Sequence, residues 1–104
     1  MTDTPAKAPD ACETMIDVRQ GVDATDRELV ELLERRFGYM RAAARIKPTR
    51  EAVRDEERKA SVIAAAVAEA ERLGIPGEVI GDVWEILVEG SIAYEFTVWD
   101  KTRV

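Results

Sequence analysis

The chain has 104 residues, 15 Lys and Arg against 21 Asp and Glu, a formal net charge of −6, one cysteine and no histidine. Without histidine there is no Ser-His-Asp or Cys-His pair, no imidazole base and no His-held metal, and a lone Cys12 closes no internal disulfide or cysteine-rich zinc site. The acidic balance argues against nucleic acid or anionic membrane as partners, no apolar run reaches the ~18 residues of a membrane span, and a reducing, cytoplasmic setting is expected.

With 46% hydrophobic residues the chain has the balance of one folded domain and not of a disordered acidic segment. Residues 1–9 are polar, carry Pro5 and Pro9 and have no apolar h-region. They read as a disordered lead-in to a helical domain over 10–104, not as a signal peptide. The pattern beyond them is all-α, with three helices and no convincing strand. The first opens near Asp10, where Asp10 and Glu13 resemble a capping box, and runs to Pro48, which biases Lys47 away from helical geometry. The second opens between Thr49 and Asp55, with Asp55, Glu56 and Glu57 suited to a helix N-terminus, and ends at Gly74, a left-handed cap. Pro76 fits the first turn of a third helix that extends to around Lys101. The stretch from Lys47 to Arg54 is the one substantial loop.

Helix one is informative through its length: roughly 37 residues at about 1.5 Å each give about 55 Å. A compact chain of this size is only roughly 33 Å across. Its apolar stripe, from Val18, Val22 and Leu29 through Leu32 and Leu33 to Met40, Ala43 and Ala44, nonetheless runs its whole length. A second copy is the economical cover for such a stripe, and a homodimer is expected.

On a helical wheel with Leu29 at zero, Arg36 falls at about 340° and Lys47, if still helical, near 0°. Both cations lie in the centre of the apolar stripe, and Arg19, at about 80°, lies on its edge. Ala42, Ala43 and Ala44 between them leave room for something other than side chains. In helix three, Ser91 and Glu95 share the face of Trp84, Leu87, Val88 and Val98. In helix two, which is alanine-rich, Asp55, Arg58, Val62, Ala66, Glu69 and Leu73 form one row at steps of three and four. Buried charges are costly unless paired or ligated. Structural ion pairs of Arg36, Lys47 and Arg58 with Glu95 and Asp55 are the plain explanation. An excess of inward cations beside a run of alanines points instead to a pocket for a small dicarboxylate, which the two-donor fork of arginine matches. Trp84, Tyr94, Phe96 and Trp99 read as packing residues, and the glycines inside helices, Gly81 among them, as places of close helix approach. There is no phosphate loop, dinucleotide fingerprint, EF-hand or other metal motif, so no cofactor is expected.

The chain resembles the all-helical chorismate mutase family, including its isochorismate pyruvate lyase branch, over roughly Asp10 to Trp99. The carriers are D-V-R-x-x-V-D-x-x-D (Asp17 to Asp26), R-R-x-x-Y (Arg35, Arg36, Tyr39) and A-x-R-x-K (Ala43 to Lys47), followed by V-R-D-x-x-R (Val53 to Arg58) and S-x-x-x-E (Ser91 to Glu95). The resemblance implies an intertwined homodimer of three-helix chains. It implies that Arg36 and Arg58 hold substrate carboxylates, that Arg19 reaches into the partner's site, and that Lys47 contacts a carboxylate and the ether oxygen. Asp55 and Ser91 match positions lining the substrate hydroxyl and carboxylate regions. Two positions depart from the pattern: Lys59 stands where a glutamate often contacts the hydroxyl, and Glu95 replaces the usual glutamine donor to the ether oxygen. A glutamate there donates only when protonated.

The implied chemistry is the pericyclic rearrangement of chorismate to prephenate, which needs no general base and no covalent intermediate. The alternative is elimination of pyruvate from isochorismate to give salicylate. The segment around Pro9 to Cys12 with Tyr39 and Trp99 leans to the lyase, and the V-R-D-x-x-R loop to the mutase, which we favour. A reading from a different class is a non-catalytic dimeric helical module.

Overall fold

The computed structural model describes residues 5–103, so residues 1–4 of the expected lead-in, and Val104, lie outside the described residues. Among the described residues all regular structure is helical: α1 (Met15–Ile46), α2 (Glu56–Arg72) and α3 (Gly77–Thr102), with 3-10 turns at Pro9–Ala11 and Arg50–Val53. Two compact units divide within α1, between Arg36 and Phe37.

In the first unit, α1 starts at Met15 and not near Asp10. The Thr14 hydroxyl accepts from the Asp17 backbone N–H at 3.2 Å, while the Asp17 carboxylate accepts from the N–H of Glu13 at 3.0 Å and of Thr14 at 3.3 Å. This reciprocal pair is the capping box, placed one turn later than the Asp10–Glu13 spacing suggests. Pro9 opens a separate 3-10 turn, which takes Asp10 out of the helix. The Glu13 N–H and then the Lys7 ammonium, 3.2 Å away, hold the Asp17 carboxyl below its usual range. Along α1 the apolar stripe is open: Val18, Val22, Leu29 and Leu32 retain 37%, 52%, 52% and 50% exposure.

In the second unit, Pro48 ends α1 by excluding helical geometry at the residue before it, and the Lys47 N–H closes the last turn on the Ala43 carbonyl at 2.9 Å. The 3-10 turn that follows carries Val53 into the core, where it meets Val88 and Ile92 under Val62, Ile63, Trp84, Phe96 and Trp99. Helix α2 is capped by Asp55, whose carboxylate accepts from the Arg58 N–H at 3.0 Å. It ends in the expected left-handed glycine, Gly74 at φ +75°, with the Ile75 N–H on the Ala70 carbonyl at 3.0 Å and the Gly74 N–H on that of Glu71 at 3.1 Å. Helix α2 then packs along α3. A side chain at Gly77 or Gly81 would press within 3.3 Å of Val67, so glycine permits the close approach there.

The inward face of α2 differs from the expected row. Lys59, Val62, Ile63, Ala66, Val67 and Ala70 face inward, while Arg58, Glu69 and Leu73 are exposed. A stretch of alanines gives nearly equal apolarity to adjacent faces, so contact with α3 decides the rotation. Helix α3 follows its wheel, burying Val88, Ser91, Ile92 and Glu95.

Candidate active site

Lys47 lies where α1 gives way to the loop, and its side chain runs to α3. Its ammonium is 2.6 Å from Oε2 of Glu95, whose side chain is 5% exposed against 29% for Lys47. The approach lies off the carboxylate's hydrogen-bonding directions, so the contact is chiefly Coulombic. A longer bond, 3.4 Å, joins the same ammonium to the Val53 carbonyl. One turn before Glu95, Ser91 is buried and donates to the Leu87 carbonyl at 2.7 Å. Glu95 and Ser91 are the buried polar side chains among the described residues. Both fall on the buried face of α3 because a four-residue spacing repeats on one side of a helix.

The backbone end of Lys47 is held as firmly. Its carbonyl accepts from the Trp99 indole N–H at 3.3 Å and from the Arg103 guanidinium at 2.8 Å, and Arg103 stacks over the Trp99 ring at 4.5 Å. The unpaired carbonyls at the end of a helix need such donors.

A denser set of charges binds the loop and α2 to α3. Arg54 makes a two-pronged contact with Glu89, at 2.8 and 3.1 Å, and reaches Glu56 at 2.7 Å. Lys59 bridges Glu85 at 2.7 Å and Glu89 at 2.8 Å. Arg54 and then Lys59 pull the Glu89 carboxyl down to about 2, and the Lys59 ammonium is pushed up, first by Glu85 and then by Glu89. Further along, Arg50 forks onto Asp100 at 2.8 and 3.2 Å and lies over the Phe96 ring.

Of the residues singled out in the sequence, Lys47 and Glu95 meet directly, and Ser91 shares the buried face of α3. Asp55 is exposed and occupied in capping α2, and Arg58 is exposed on its first turn. On α1, Arg19 is exposed and Arg36 half-buried. The sequence reading missed Arg54, Glu85, Glu89 and Arg103. Glu85 and Glu89, four apart on α3, were the available signal for a cation on α2. The Glu95–Trp99–Arg103 row, at steps of four, was the signal for a single address on α1.

The order of these side chains along three helices coincides with a known pattern: the family model described as chorismate mutase type II matches residues 18–96. The chain belongs to the chorismate mutase type II family. It is also 29% identical over 97 residues to an isochorismate pyruvate lyase of Pseudomonas aeruginosa, covering 93% of this chain and 96% of that one. In this chorismate mutase type II chain the Lys59 ammonium is engaged by two carboxylates of α3, and its side chain is 17% exposed. The ion pair sets the Glu95 carboxylate against the Lys47 ammonium. To donate to a ligand oxygen, this carboxyl must first carry a proton.

Proposed function

We propose that this chain is a chorismate mutase, converting chorismate to prephenate in the active sites of a homodimer. The observation that carries the reading is the buried Lys47–Glu95 pair, a cation and a potential acid side by side on a half-covered face. In the rearrangement the ether C–O bond breaks as a C–C bond forms between the enolpyruvyl methylene and the ring, with atoms conserved and no proton exchanged with the protein. The protein's part is to hold the enolpyruvyl arm over the ring and to stabilise negative charge building on the ether oxygen. Lys47 and protonated Glu95 supply the second task. Arg36 and Arg58 supply the first by gripping the two carboxylates, Arg19 joins from the partner copy, and Ser91 and Asp55 line the remainder. The exposed stripe of α1 supports the homodimer. Among the described residues no helix is long and apolar enough to cross a membrane.

A second reading is favoured by the lyase relative, which matches nearly end to end. In it isochorismate loses its ether C–O bond while a ring hydrogen moves to the enolpyruvyl methylene, releasing pyruvate and leaving salicylate. The same ammonium would stabilise the same oxygen. Incubating the purified protein separately with chorismate and with isochorismate, and identifying products by chromatography, distinguishes the readings. Prephenate from the first supports the mutase, salicylate from the second the lyase. Neither product would leave a non-catalytic helical module. Arg36→Ala is expected to abolish turnover while the dimer persists in sedimentation.

A further inference from the structure

We propose that Trp99 and Arg103 are positioning residues for Lys47, so that the last turn of α3 sets where the site's ammonium stands. The inference rests on Lys47 being a substrate-contacting group, as the proposed function has it. Glu95 and Trp99, four apart on α3, share one face, and Arg103, four further on, caps the end of that helix. All three address Lys47: Glu95 meets its ammonium at 2.6 Å, and Trp99 and Arg103 donate to its carbonyl at 3.3 and 2.8 Å. One helix face therefore grips both ends of a single residue.

The grip is needed because Lys47 has left the regular helix. Its carbonyl has no partner within α1, because the helix ends at Ile46 and no helical N–H lies four residues on. A lysine side chain has four rotatable bonds, so a small rotation at the backbone is amplified at Nζ. Arg103 reduces that freedom twice over: its guanidinium is itself immobilised on the Trp99 indole, and it also approaches the Arg45 carbonyl at 3.5 Å. A cation at a helix's carbonyl end is also electrostatically favoured. Arg103 is exposed and touches neither Glu95 nor the ammonium, so its influence on the site passes through the backbone of Lys47.

The test uses the whole protein and two readouts. The first is the rate at which a small acid anhydride acylates Lys47, followed by peptide mass spectrometry with exposed Lys101 as internal reference. The second is kcat and KM on whichever of chorismate and isochorismate the wild type consumes. Arg103→Ala is expected to raise Lys47 acylation relative to Lys101 about three- to tenfold, the range of one net hydrogen bond, and to lower kcat more than it raises KM. Arg103→Lys restores a donor without the planar stack and falls between. Trp99→Phe removes the indole donor but keeps a ring, and is expected to loosen Lys47 even if Arg103→Ala fails to fold. Unchanged Lys47 acylation in the folded variants overturns the proposal, as do equal activity losses in Arg103→Ala and Arg103→Lys. A wild type inert to both substrates overturns the proposed function instead, while the acylation ratio still decides the positioning role.

Discussion

Lys47 and Glu95 depend on each other for both stability and chemistry. Glu95 is 3% exposed, and an ionised carboxylate so buried is tolerated only beside a counter-charge. Lys47→Ala removes that counter-charge and, on the proposed mechanism, a donor to the ether oxygen. It is expected to lower kcat by ~10²–10³, the usual effect of deleting one such donor. Its thermal midpoint is expected to fall as well, and to recover in Lys47→Ala/Glu95→Gln, where the orphaned charge is gone. Calorimetry of the single and double variants checks this. The loss is expected to stay below the ~3–5 kcal/mol of a fully enclosed pair, because the Lys47 side chain is 29% exposed. On the proposed mechanism Glu95 donates to the ether oxygen, which takes its protonated form. Glu95→Gln is therefore expected to keep turnover and Glu95→Ala to lose it, since an amide is a donor and a methyl is not. Equal losses of kcat in the two variants would sink the assignment.

At the scale of elements, the loop and α2 are tied to α3 by charge as well as by the Val53–Val88–Ile92 core. Glu89 is the hub, shared by Arg54 and Lys59. Folding depresses its carboxyl from the ordinary 4.5 to about 2. Its contribution to stability is accordingly complete above pH 4.5 and is withdrawn as the pH falls towards 2. Glu89→Gln is expected to remove this part of the acid dependence, which thermal melts of both proteins across that interval would reveal. The Arg54–Glu89 contact is partly open to solvent, so added salt weakens its effect. Lys59 thus joins α2 to α3 through Glu85 and Glu89.

For the whole molecule the telling quantity is apolar area left uncovered. Val22, Leu29 and Leu32 are about half exposed on α1, and a stripe of that kind marks an interaction face. The homodimer we propose covers it with the same stripe of a second copy, and its melting temperature is then expected to rise with protein concentration. Leu29→Lys places like charges opposite each other across such an interface. It is expected to halve the mass in sedimentation equilibrium and to abolish the concentration dependence of melting. The net charge of −6 does not oppose an anionic substrate, because it is an average dominated by exposed carboxylates such as those on Asp10, Glu13 and Glu28.

Much of the helical order followed from local chemistry. Pro48 ended α1, Gly74 capped α2, and the spacing of Trp84, Val88, Ser91 and Glu95 defined the buried face of α3. These signals act within one or two turns, so they are legible without knowing what lies opposite. The tertiary structure decided what depends on a distant partner. It moved the first cap from Asp10 to Thr14 and Asp17, where Lys7 also converges, and it chose which of α2's near-equivalent faces meets α3, turning Lys59 inward and Arg58 outward. It also joined Lys47 to Glu95, Trp99 and Arg103 across some fifty residues of chain. Residue type and periodicity determine which side of a helix is buried; only packing determines which charges then find each other.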